Sequence, residues 1–140
     1  MEFAVTSSVA FLAIIGFMKM SLAIYTFHFV SEAAREGTRY AIVRGSSCTT
    51  FTTACPAATD GSDVQTYVRA LAYPGITGSA MTVTSTYASY PSGVCTPSLN
   101  CNNPGNLVTV KVQYAFPLSI PLMANKTLTM TSTSAMVISQ

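Results

Sequence analysis

Apolar and polar positions divide this chain into two unlike parts. From Phe3 to Val30 almost every residue is apolar, and Lys19 and His28 are the only positions with a possible charge. No proline interrupts residues 3–43, and Leu, Met, Ala and Ile predominate there, which predicts one continuous helix. At ~1.5 Å per residue that helix is a rod about 60 Å long. Its first part is apolar enough to cross a bilayer, which takes about 20 residues. The last third, VSEAAREGTRYAIVRG, changes character. Glu32 with Arg35, and Glu36 with Arg39, stand at i,i+3, where opposite charges support a helix. This part is expected to leave the apolar phase and lie against a folded head, with Gly45 as its stop.

Downstream the period shortens to two. MTVTSTYASY (81–90), NLVTVKVQYAF (106–116) and KTLTMTSTSAMVISQ (126–140) alternate in the manner of half-buried strands. Ahead of them, DVQTYVRALAYPG predicts a short helix with Val64, Val68 and Leu71 on one face. Asp60 or Ser62 is its expected cap and Pro74-Gly75 its end. Pro117 and Pro121 are expected to break the chain before the last strand. Three antiparallel strands need a cover for their apolar face. The polar end of the long helix, together with the short one, supplies it. The expectation is an α+β fold: a long N-terminal apolar helix (1–44) carrying a small head (45–140) of one short helix and a three-stranded antiparallel sheet, a lollipop in outline.

Composition narrows the function. Charged residues are 9% of the 140, against about 25% in ordinary soluble domains, so the chain is too apolar for a plain soluble globule. Net charge is +2 without any clustered Lys/Arg run, and Trp is absent, which argues against nucleic acid as a partner. Five acidic residues, one histidine and no glycine-rich phosphate loop argue against an enzyme and against any cofactor or metal. The four cysteines, Cys48, Cys55, Cys95 and Cys101, all fall in the polar part, and their spacings are not those of zinc sites. They predict two disulfides in an oxidising compartment. Of three possible connectivities the local pairs Cys48–Cys55 and Cys95–Cys101 are favoured; four free thiols are the rival.

Two stretches carry a resemblance. MEFAV (1–5) and AAREGTRYA (33–41), with the closing VTVKVQYAFPLSIPL and LTMTSTSAMV, resemble the TadE-like family of pilus proteins, from the tight-adherence branch of type IV pilus systems. AAREGTRYA, with Ala33, Ala34, Arg35, Glu36, Gly37 and Arg39, is the most specific of these. The cysteine-bearing middle has no counterpart. Family members often carry Pro where this chain has Ser8, and many carry a helix glutamate where it has Lys19. The short basic leader that precedes the helix in prepilins does not stand in this sequence, so the route of maturation stays open.

The resemblance implies a structural subunit held in the cytoplasmic membrane before assembly. It then polymerises with copies of itself into an extracellular helical filament, with the pilus assembly machinery and membrane lipid as further partners. A minor pseudopilin that primes or caps a pilus, or a membrane-anchored binding domain that never polymerises, are the alternatives.

Within that frame Lys19 poses a problem. A lysine at the bilayer centre costs about 2.5–3.5 kcal/mol on insertion scales, and snorkelling of its stem toward an interface is the plain explanation. Glu2 offers another. The two residues are roughly 25 Å apart along one helix and cannot pair within a subunit. In a staggered parallel bundle Glu2 of one copy would approach Lys19 of another and select one register. Thr6, Ala10, Ala13 and Gly16 are the small residues expected to let such helices come close. The alanines of AAREGTRYA are expected to pack on the sheet, with Arg35 and Arg39 facing outward. His28 is expected to be a packed or interfacial residue, and the methionines to be adaptable packing. Asn125-Lys126-Thr127 fits the short N-glycosylation pattern.

Overall fold

The computed structural model describes residues 2–48, 61–71, 74–89, 101–119 and 125–139. The long helix, α1, runs unbroken from Glu2 to Ile42. A second helix, α2, spans Ser62–Ala70, and a single tight turn at Gly78–Ala80 leads into the sheet. Three strands, β1 (Met81–Ala88), β2 (Leu107–Leu118) and β3 (Lys126–Val137), form an antiparallel meander with β2 in the centre.

The alternation along β2 is the one its sequence requires. Val108, Val110, Val112, Tyr114 and Phe116 are buried on one face, whereas Lys111, Ala115 and Pro117 are exposed on the other. Register carries this across the sheet: Val112 stands between Val83 of β1 and Ser132 of β3, and Tyr114 between Met81 and Met130. The inner face is covered by the lower half of α1, where Thr26, Phe29, Val30, Ala33, Ala34, Gly37, Thr38 and Ala41 are buried. Those positions recur at three and four residues, the stripe of a helix lying on a sheet. The core therefore draws on α1 from Thr26 onward, so a boundary at residue 44 separates the sequence but not the packing. Val64 and Val68 of α2 complete the cover, fully buried beside Gly37.

Local details differ from the sequence expectation in three places. The cap of α2 is Gly61, left-handed at φ 74° and without a side-chain cap bond; Ser62 is already helical, and Asp60 lies outside the described residues. Only glycine suits this site, because a Cβ would also collide with Ser85, whose hydroxyl donates to the Gly61 carbonyl at 3.1 Å. Pro117 does not end β2: the strand runs on to Leu118, pairing Pro117 with Thr127. The partner strand β1 stops opposite Tyr114. Beyond it one edge of β2 has no partner strand among the described residues, the setting in which a strand accepts proline. Pro121 lies outside the described residues. Finally, α1 ends at Ile42, before Gly45, and is fastened there by the residues that follow β3: the backbone N–H and hydroxyl of Ser139 both donate to the Ile42 carbonyl, at 3.1 and 3.0 Å.

That same corner gathers the described cysteines. Ser46 donates to the Asn102 carbonyl at 2.9 Å, tying the segment after α1 to the turn before β2. Cys48 and Cys101 are buried there, and neither is a free thiol. Because Cys55 and Cys95 lie outside the described residues, neither expected bridge, Cys48–Cys55 nor Cys95–Cys101, is described in full.

Candidate functional site

The functional candidates lie along α1, and the helix presents two different surfaces. Below Thr26 it is a core helix. Above, its apolar side chains face outward: Phe3 is 86% exposed, Phe17 73% and Met20 64%. Among the described residues it is the one helix long and apolar enough to cross a membrane, and its most apolar window has none of its residues buried within the chain. Large apolar side chains scattered singly on a surface need no explanation; a continuous apolar rod does.

The sheet does not stop where the core stops. β2 and β3 run past the end of β1 by four residues, to the pairs Phe116–Leu128, Pro117–Thr127 and Leu118–Lys126. This two-stranded extension overhangs the upper part of α1 and leaves a groove of about 810 Å³ between them. The helix wall of the groove is Gly16, Lys19, Met20, Ala23, Ile24 and Phe27, one stripe at three- and four-residue steps. The hairpin wall is Leu118, Leu128 and Met130 with Thr129 and Thr131. Lys19, half-buried, is the one charged side chain among the described residues that line the groove. Above Gly16 a Cβ would meet no atom within 4 Å, so that glycine leaves open space in the floor.

The other predicted residues distribute as follows. Thr6, Ala10 and Ala13 are exposed and lie higher on α1, above the residues that line the groove, so only Gly16 of the four small residues joins it. The hydroxyl of Thr6 donates to the Phe3 carbonyl at 3.0 Å. Glu2 opens the helix, and its side chain lies outside the described residues. Lys19 forms no ion pair among the described residues; the pairs found are Glu32–Arg35 at 3.9 Å and Glu36–Arg39 at 3.7 Å. Both are largely exposed, so each contributes little. His28 is exposed, with its ring edge-on to Phe27 at 6.4 Å. Asn125, Lys126 and Thr127 are exposed at the start of β3.

In AAREGTRYA, Ala33, Ala34 and Gly37 face the core while Arg35 and Arg39 point outward. Thr38 is fully buried, and its hydroxyl donates to the Ala34 carbonyl at 2.8 Å and across to the Ser134 carbonyl of β3 at 3.3 Å.

One cluster escaped the sequence altogether. Tyr40 of α1 and Tyr67 of α2 stack at 4.1 Å and 17°, and the Arg44 guanidinium sits 3.8 Å from the Tyr40 ring centre. The Tyr67 hydroxyl donates to Glu36 at 3.2 Å. Burial, and then that bond to Glu36, push the Tyr67 phenol above its usual range. The cluster clamps α2 onto α1. Among the described residues no three His, Cys, Asp or Glu side chains gather as metal ligands would.

Comparison with protein-family models, with curated proteins and with solved structures finds no match to this chain.

Proposed function

We propose that this chain is a structural subunit of an extracellular type IV pilus-like filament of the TadE-like kind, polymerising through its N-terminal helix. The observation that carries the proposal is the continuity of α1. A single helix is core below Thr26 and a bare apolar rod above it, so folding the head presents the rod outside. Burying that rod stabilises at about 25 cal/mol per Å² of apolar surface, whether in a bilayer before assembly or among neighbouring rods afterwards. The motif AAREGTRYA supports the family resemblance with a structural task, since its small residues are what lets α1 lie close on the sheet.

The proposal includes two disulfides in the head, Cys48–Cys55 and Cys95–Cys101, which suit an extracellular location. Their support is that Cys48 and Cys101 are buried and both are half-cystines. It also includes Glu2 and Lys19 as the charges that set the stagger between subunits.

Electron microscopy of sheared surface filaments, reconstructed to side-chain detail, tests this directly. This chain repeating along the filament, helices inward and heads outward, is the expected result. A filament built of another protein would reassign the chain to a minor pseudopilin. No filament in cells that make the chain would leave a membrane-anchored head.

A further inference from the structure

Resting on the filament proposal, we propose that the groove beneath the β2–β3 overhang is the receiving site for the N-terminal segment, residues 2–10, of a second copy. Three observations converge on that occupant. The groove is lined mostly by apolar side chains, with Thr129 and Thr131 on the hairpin and Lys19 as the one charge among the described lining residues, so it suits a largely apolar guest with one acidic group. The first 31 residues of this chain contain one acid, Glu2, followed by Phe3, Ala4 and Val5 and then by Thr6, Ser7 and Ser8, whose hydroxyls donate to the carbonyls of Phe3, Ala4 and Val5 within the same helix. Charge and apolarity therefore match in the order in which a parallel neighbour would present them.

The second observation is shape. Gly16 and Ala23 make the helix wall shallow, and the space above Gly16 is open. A bulky side chain entering there finds room that any other residue at position 16 would occupy. Phe3, 86% exposed, comes level with Met20 when Glu2 approaches Lys19, and its ring, leaning toward the helix N-terminus as helical side chains do, points back one turn toward the space above Gly16.

The third is length. Bringing Glu2 of the guest level with Lys19 of the host staggers the two helices by roughly 25 Å. The guest's Phe3 to Ala10 then run beside Met20 to Phe27 of the host, the span that the overhang covers. Each copy offers both a segment and a groove at different heights, so the contact is head-to-tail and does not close on itself. That is the symmetry of a filament.

The test uses the full chain in the cells that produce it. A benzophenone photo-crosslinking side chain is placed at Met20 or Leu128 in the groove and, separately, at Phe11 on the bare helix. Mass spectrometry then identifies what each position reaches. The expected result is that the groove positions join to residues 2–10 of a second copy. Groove crosslinks only to phospholipid or to another protein, while Phe11 still reaches a second copy, would overturn the groove assignment and leave the filament standing. No copy-to-copy crosslink from any position would overturn both.

Gly16→Leu gives an independent readout. The isolated subunit has space for the new side chain, so the head should remain folded and the subunit abundant, with filament yield falling at least ~10-fold as the groove is plugged. Normal filaments from a folded Gly16→Leu subunit would count against the proposal.

Discussion

Gly37 shows how little room separates α1 from its partners. A Cβ there would lie 2.6 Å from a methyl of Val68 and 3.2 Å from one of Val110, both fully buried. Helix propensity alone favours Gly37→Ala by about 0.8–1 kcal/mol. Overpacking opposes it by typically about 1–3 kcal/mol, and the stiff, buried valines cannot swing aside. The expected outcome is a net loss of about 1 kcal/mol in a urea titration of the full chain in detergent. Val68→Ala should cost about 1–3 kcal/mol by itself, yet in the double variant the missing methyls make room for the new Cβ. The two changes should therefore couple favourably by roughly 1 kcal/mol; simple additivity would mean that the collision is relieved elsewhere.

Tyr67 adds a pH dependence at the same seam. Its phenol is held above the ordinary value of 10.0 in the folded chain. The corresponding stability is complete below pH 10 and is lost as pH rises through the folded value. Urea midpoints at about pH 9 and about pH 11 should fall more for the wild type than for Tyr67→Phe. An equal fall would remove Tyr67 as the cause.

Elements were more legible than the contacts among them. The proline-free apolar run announces α1, and period-two alternation in 81–90, 106–116 and 126–140 announces the three strands nearly to their ends. The alanine face of AAREGTRYA was also readable, because i, i+1 and i+4 steps to Gly37 and Thr38 put the small residues on one stripe. What the sequence hides is whatever two distant segments make together. The Tyr40–Tyr67 stack joins two helices across the whole Cys48–Gly61 segment, and the groove exists only because β2 and β3 outrun β1. Proline at 117 pointed the wrong way, since a lone proline says nothing about which neighbour a strand still has. The cap of α2 failed for a similar reason: Asp60 and Ser62 have capping chemistry, but the close approach of Ser85 demands glycine. This last point is measurable. Gly61→Ala forces a left-handed residue, costing about 1–2 kcal/mol, and adds a collision with β1. It should loosen α2 and lower the urea midpoint by more than Gly75→Ala, which is also left-handed, at φ 81°, but has open space around it.

At the scale of the whole molecule, the membrane and the filament make opposite demands on Lys19, and that opposition decides between them. In a bilayer the lysine is a burden of about 2.5–3.5 kcal/mol, so Lys19→Met should make the subunit a better membrane protein and raise its amount in the membrane fraction. In the proposed filament core, where Glu2 of a neighbouring copy meets Lys19, the same substitution leaves that Glu2 without a counter-charge, and an unpaired buried charge costs about 3–5 kcal/mol. Lys19→Met should therefore increase membrane-held subunit while sharply reducing filaments, and Glu2→Gln should reduce filaments by stranding the lysine instead. Exchanging the two charges in one chain, Glu2→Lys with Lys19→Glu, keeps the pair and its 25 Å stagger (roughly, at 1.5 Å per residue) while reversing its polarity. Filaments should return, with the wild-type rise and twist. A snorkelling lysine makes a different forecast: Lys19→Met filaments would form normally, and the exchange would rescue nothing because nothing had been lost. The separation of membrane amount from filament amount is the decisive reading, since a merely unstable subunit would lose both together.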